Sequence, residues 1–156
     1  MSSEELERTG GSNASGLPAQ SFRQTEEGRA ARRILLVEDE FRVRRVMSEV
    51  LRLKGHVVLE AEHAEHALQV AHEGGRVDLL VTDVVLPGKN GRDLARELRR
   101  CRPGLKTLLI SGYGESVALL GTHCNANVRY LSKPFSVTSL LEAVEATLFS
   151  RTKKGG

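Results

Sequence analysis

Short, unbroken apolar runs recur along the chain, and each is followed by a stretch whose apolar residues return at helical spacing. "RILLVE" (33–38), "HVVLE" (56–60), "VDLLVTD" (77–83), "LKTLLIS" (105–111) and "VRYLS" (128–132) are too short for helices and carry too few polar residues to show a wet face. They read as strands buried on both sides. Between them, Val43, Val46, Met47, Val50 and Leu51 mark a helix from Phe41 to Leu53, ended by Lys54-Gly55. Ala64, Ala67, Leu68 and Ala71 mark a second helix that stops at Gly74-Gly75. "RDLARELRR" (92–100) is a third, stopped by Pro103-Gly104. Another is expected near 115–124. Val137, Leu140, Leu141, Val144 and Leu148 stripe a last one, with Ser136 at its N-cap. Alternation of this kind predicts an α/β fold with a central five-stranded parallel sheet and helices on both faces.

That domain is expected over residues 32–150. Residues 1–31 are rich in Ser, Gly, Glu and Gln with almost no branched aliphatics, so they bury too little to offset the entropy of ordering and read as a disordered tail or linker. Residues 151–156, "RTKKGG", read as a flexible tail. Lys and Arg number 23 against 20 Asp and Glu, a mixed balance that gives a nucleic-acid partner little support. Cys101 and Cys124 have no metal-type spacing, which suits a reducing compartment. The first residues contain no apolar signal core, and no run approaches the ~20 apolar residues of a membrane span. The expectation is a cytoplasmic protein with no membrane partner.

In open parallel sheets, ligands bind beyond the carboxyl ends of the strands. The first strand ends in Glu38-Asp39, the third in Thr82-Asp83, the fourth in Ser111-Gly112, and the fifth runs into Ser132-Lys133-Pro134. Three carboxylates, a hydroxyl and an ammonium would meet at one edge. Hard oxygen donors in this number suit Mg²⁺, which takes one or two carboxylates with waters and a phosphate oxygen. An ammonium can pair with aspartate or phosphate, and a hydroxyl can donate to a phosphoryl oxygen. The set is suited to phosphoryl transfer onto a carboxylate.

"LLVEDE", "LLVTDVVLPGKNG", "LLISGYG" and "YLSKPF", in this order and spacing, resemble the receiver domain of two-component response regulators over nearly all of residues 33–149. The style is that of single-domain regulators or of the C-terminal receivers of hybrid histidine kinases. The resemblance implies a flavodoxin-like, doubly wound (βα)₅ three-layer sandwich. It makes Asp83 the phosphoacceptor, with Mg²⁺ held by Asp39 directly, by Glu38 through water, by Asp83 and by the backbone carbonyl of Val85. Ser111 would hold the phosphoryl group and Lys133 would pair with it. Tyr130, three before the lysine, matches the aromatic that swings inward on activation, and Pro134 would follow a cis peptide. Phosphorylation would then alter the face built from the helix near 115–124 and the fifth strand.

The implied function is a receiver in a two-component phosphorelay. It takes a phosphoryl group from a sensor histidine kinase or a histidine phosphotransfer protein and signals to an output protein whose identity is unknown. Homodimerisation is left open. With only a short tail after the last helix, output is expected through protein contacts. Apolar Val85, two past Asp83, and bulky Tyr113, two past Ser111, flank the path of an attacking water without orienting it, so slow dephosphorylation is expected. The protein would catalyse its own aspartyl phosphorylation and loss of phosphate without being a turnover enzyme. An alternative is an interaction module with a receiver fold that works without phosphorylation, against which Asp83, Asp39, Ser111 and Lys133 argue. An aspartate-nucleophile hydrolase would need a second aspartate where Val85 stands. His63 and His66 are three apart on a helix, but a metal site there lacks a third ligand. The arginine runs at 42–45 and 96–102 read as solvated faces, with Arg44 and Arg45 available to steer an acidic partner.

Overall fold

The computed structural model describes residues 30–112 and 127–151. Strand and helix alternate as β1 (Arg33–Val37), α1 (Phe41–Leu53), β2 (Val57–Ala61), α2 (Ala64–Gly74), β3 (Leu79–Asp83), α3 (Gly91–Cys101) and β4 (Lys106–Ser111), followed by β5 (Val128–Ser132) and α4 (Val137–Leu148). The helix expected near 115–124 lies outside the described residues, as do Tyr113 and Cys124.

All five strands pair in parallel in the order β2-β1-β3-β4-β5. From β1 the chain moves first to one side, to β2, and then to the other, to β3. That reversal leaves a crevice at the carboxyl ends of β1 and β3, where helices depart in opposite directions. Register places Val37 beside Thr82, so Glu38-Asp39 and Asp83 leave the sheet side by side.

Successive β1 residues serve opposite layers because strand side chains alternate. Leu35 and Val37 pack with Leu80, with Ala64, Ala67 and Ala71 of α2, and with Leu94, Ala95 and Leu98 of α3. Ile34 and Leu36 pack with Val81, Leu108 and Ile110, with Met47 and Leu51 of α1, and with Leu140, Val144 and Leu148 of α4. Each fully buried Leu, Ile or Val contributes about 1.5–3 kcal/mol relative to exposure, and the two layers sandwich a sheet whose β3 is buried throughout.

Helix ends follow local chemistry. Ser136 Oγ accepts from Ser139 N–H at 3.0 Å, and Asn90 Oδ1 from Asp93 N–H at 2.9 Å. The paired histidines have the same job. His63 Nδ1 accepts from His66 N–H at 3.1 Å, and His66 Nδ1 from Glu62 N–H, one residue before the N-cap, at 3.4 Å, so imidazoles take acceptor roles like those of Ser and Glu in a capping box. The other end of α2 is closed by arginines. Arg33 Nη2 donates to Gly74 O at 2.6 Å, and Arg102 Nη2 to Ala71 O and Gly75 O at 2.7 Å each. The reading of 96–102 as a uniformly solvated run therefore fails at Arg102, whose guanidinium completes carbonyls that α2 leaves without intrahelical donors.

Candidate functional site at the carboxyl edge of the sheet

β1 delivers Glu38 and β3 delivers Asp83 to the crevice, and both end up almost fully buried, at 3% and 5% exposure. Asp39 is exposed beside them. Ligand oxygens of the three carboxylates lie within 4.8 Å of one another. Among the described residues this is the one acidic group with metal-site geometry.

The turn that carries the acids is tied from several sides. Glu38 N–H donates to Ala61 O at 3.1 Å. Its side chain folds back so that Oε1 accepts from Glu40 N–H at 3.1 Å. Glu40 is the N-cap residue of α1 and makes no side-chain cap. Burial raises the Glu38 carboxyl to about 7, against the relief given by the Glu40 N–H; the hydrogen bond with Asp39 and the Asp83 charge push it further up, and Lys133 pulls it back.

Asp83 is clasped by two donors. Lys133 Nζ sits 2.5 Å from Oδ2, and Val85 N–H donates to Oδ1 at 3.3 Å. Burial acts to lower the Lys133 ammonium, but the Asp83 hydrogen bond and charge, with Glu38 and Asp39 behind it, outweigh burial and hold it above its usual value. Lys133 reaches the site because its N–H donates to Ser111 O at 2.8 Å and because Ser132 pairs with Ser111 in register. The peptide between Lys133 and Pro134 is cis, as expected.

Ser111 is fully buried at the end of β4. Val85 is 58% exposed on the loop after β3. Tyr130 stands one strand away, half-buried against Val84, Leu109 and Val128. The structure thus joins Glu38, Asp39, Asp83 and Lys133, brings the Val85 N–H onto Asp83, buries Ser111 at the end of β4, and places Tyr130 on β5, the strand that leads into Lys133.

Two residues bear on the site that sequence reading did not single out for it. Gly91, at the first position of α3, lies so close to β3 that a Cβ there would fall 2.1 Å from Asp83 O. Arg44, expected on a solvated face, is largely buried, with 13% of its side chain exposed. Its Nη1 donates to Glu38 O at 2.7 Å. A mostly apolar groove of about 660 Å³ opens next to Glu38 and Lys133, between α1 and the start of α4, lined among others by Val46, Met47, Phe135 and Val137.

A family model for the response regulator receiver domain matches residues 34–145. The chain belongs to the receiver family. Receivers are signalling modules, not turnover enzymes. The chain is 40% identical over 116 residues to the sensor kinase CckA of Brucella abortus, a match over 74% of this chain and 12% of that protein. It is 36% identical over 115 residues to the response regulator protein FleR of Pseudomonas aeruginosa, over 73% of this chain and 24% of that one. This receiver therefore spans a minor part of these relatives. Among solved structures, the receiver domain of the hybrid histidine kinase CckA superposes with a TM-score of 0.62 at 37% identity, covering 74% of this chain and 98% of that one. The regulator TrrA of Thermotoga maritima, solved in complex with Mg²⁺-BeF, gives 0.63 at 30% identity, with 74% and 98% covered. Among the described residues no helix is long and apolar enough to cross a membrane.

Proposed function

We propose that this receiver accepts a phosphoryl group on Asp83 from a phosphohistidine of a histidine kinase or histidine phosphotransfer protein. The observation that carries the proposal is the Asp83–Lys133 pair at 2.5 Å inside the cluster formed with Glu38 and Asp39. In the transfer, an Asp83 carboxylate oxygen forms a bond to phosphorus as the phosphorus–nitrogen bond to the donor imidazole breaks, and the imidazole takes up a proton. Lys133 then trades its carboxylate partner for the phosphoryl oxygens, and Ser111 donates its hydroxyl to them.

The residues fit Mg²⁺. Oxygens about 2.1 Å from one octahedral ion stand roughly 3–4 Å apart, close to the spacing of the three carboxylates. Asp39, Asp83, the Val85 carbonyl and, through water, Glu38 would hold the ion, which supplies charge neutralisation for the phosphoryl oxygens when bound. Before it binds, Lys133 is the cation that keeps the buried acids together.

Tyr130, beside Val84 and Leu109, is proposed to read out the change at Ser111, and an output protein to bind the face that includes β5. The proposed domain limits are 32–150, with 1–31 and 151–156 proposed as tails, and the proposed compartment is the cytoplasm. Profiling phosphotransfer from the host's histidine kinases, with wild type beside Asp83→Ala, tests the reading. Transfer from one or a few kinases that Asp83→Ala abolishes is the expected result. Absence of transfer from all of them, with no Mg²⁺-dependent beryllofluoride adduct, would instead indicate an interaction module that works without phosphorylation.

A further inference from the structure

Arg44 lies in a run of surface-type residues yet is turned inward, and three neighbours hold it there. Its Nη1 donates to the carbonyl of Glu38 at 2.7 Å. Its Nε lies 3.6 Å from Glu60 Oε1. Its guanidinium carbon sits 5.6 Å from the centre of the Phe41 ring. The Glu38 carbonyl belongs to the peptide that joins the two acids. With Glu38 N–H on Ala61 O, both faces of Glu38 are tied, and the direction in which Asp39 leaves β1 follows from the tilt of that peptide.

A guanidinium this near a cation site would repel the cation if it stood alone. It does not stand alone. Glu60 sits between Arg44 and Arg52, with Arg52 Nη2 3.1 Å from Glu60 Oε2, so the charge beside the acidic turn is answered from β2. Arg44 contributes a fixed donor to the Glu38–Asp39 peptide while Glu60, shared with Arg52, opposes its charge. Arg52 shares the same carboxylate and also donates to Val58 O at 3.2 Å, but none of its hydrogen bonds reaches the acidic turn.

We infer that Arg44 is a positioning residue for the acidic site: held by Glu60, it sets the Glu38–Asp39 turn so that both carboxylates address the same cation. The inference rests on the Mg²⁺ reading above. Groups that orient metal ligands typically account for a 10–100-fold change in affinity.

The test is a Mg²⁺ titration of the full chain followed by backbone amide NMR, with melting temperatures of the metal-free proteins measured in parallel. Arg44→Met should weaken Mg²⁺ about tenfold and displace the metal-free amide resonances of Asp39 and Glu40. Arg44→Lys, which keeps one donor and the charge, should recover part of the affinity. Glu60→Gln should weaken Mg²⁺ in a salt-sensitive way, since it leaves the Arg44 charge unanswered. Arg52→Met, a control on the same carboxylate, should leave affinity within about twofold, below the positioning effect. The inference is overturned if Arg44→Met binds Mg²⁺ like wild type. It is equally overturned if Arg52→Met loses as much affinity at a matched melting temperature, since the effect then follows stability. If wild type itself shows no Mg²⁺ binding, the Mg²⁺ reading fails first, and the inference falls with it.

Discussion

Lys133 reaches 2.5 Å from Asp83 although fifty residues separate them, and this single pair closes the acidic crevice before any metal arrives. Removing the ammonium leaves Asp83 buried beside Glu38 with no cation. Lys133→Met should therefore lower the melting temperature in EDTA and slow phosphotransfer. Because the Lys133 ammonium is held above its usual 10.5, the stability it contributes is complete below that pH and disappears as pH rises past the raised value. Thermal melts of wild type and Lys133→Met should converge in strong alkali. A gap that persists there would show that packing, and not charge, explains the loss.

Glu38 gives the same sign in a lower pH window. Its carboxyl is raised from 4.5 to about 7 in the metal-free fold, so between those values the folded state holds a proton that the unfolded state has lost. Stability from this group falls as pH rises through that window, by up to about 1.4 kcal/mol per unit. Glu38→Gln should remove that fall, so wild type minus variant, measured in EDTA from pH 5 to 8, should drop and then level. Mg²⁺ has to displace the same proton, so its affinity should rise up to tenfold per unit below about 7 and flatten above. A difference curve with no slope would rule out the buried, protonated Glu38.

Gly91 sits where any side chain would strike the backbone of Asp83, with a Cβ 2.1 Å from Asp83 O. Gly91→Ala must push β3 or α3 aside, at about 1–3 kcal/mol of overpacking. Phosphorylation should slow more than this loss of stability explains, because the shift falls on Asp83. A variant that is destabilised but phosphorylated at the wild-type rate would place the strain in α3 alone.

Slow dephosphorylation can be measured directly. Val85 offers its N–H to Asp83 at 3.3 Å while its exposed side chain cannot orient a water. The phosphorylated protein should last well beyond seconds in Mg²⁺, and Val85→Asn should shorten that lifetime by about tenfold or more. Decay followed by intact-protein mass decides it, and a wild-type half-life of seconds would end the proposal.

Much of this site is written in local motifs. Glu38-Asp39, Asp83, Ser111 and Lys133 each terminate or directly follow an apolar run, and parallel pairing alone brings such ends together, so their meeting could be read without coordinates. The strand order followed from the receiver resemblance and not from the periodicity, because alternation of strands and helices does not say on which side of β1 the third strand lands. Arg44 was hidden for a related reason. In "FRVRRV" it looks like its exposed neighbours Arg42 and Arg45, and the Glu38 carbonyl and Glu60 on β2, which draw it inward, meet it only in the fold. The role of Gly91 depends on a close approach between α3 and β3 that no spacing encodes. "HAEH" carried a readable spacing, three residues along a helix, and its chemistry proved to be capping. His63→Ala should cost about 1 kcal/mol and His63→Ser little.

The most direct measurement is the intact mass of the protein after incubation with a small-molecule phosphodonor, with and without Mg²⁺, followed by mapping of the modified residue. One added phosphoryl group that requires Mg²⁺, maps to Asp83 and vanishes in Asp83→Ala is the predicted result. Equal incorporation in Asp83→Ala, or modification at another residue, would contradict the assignment of Asp83 as the phosphoacceptor.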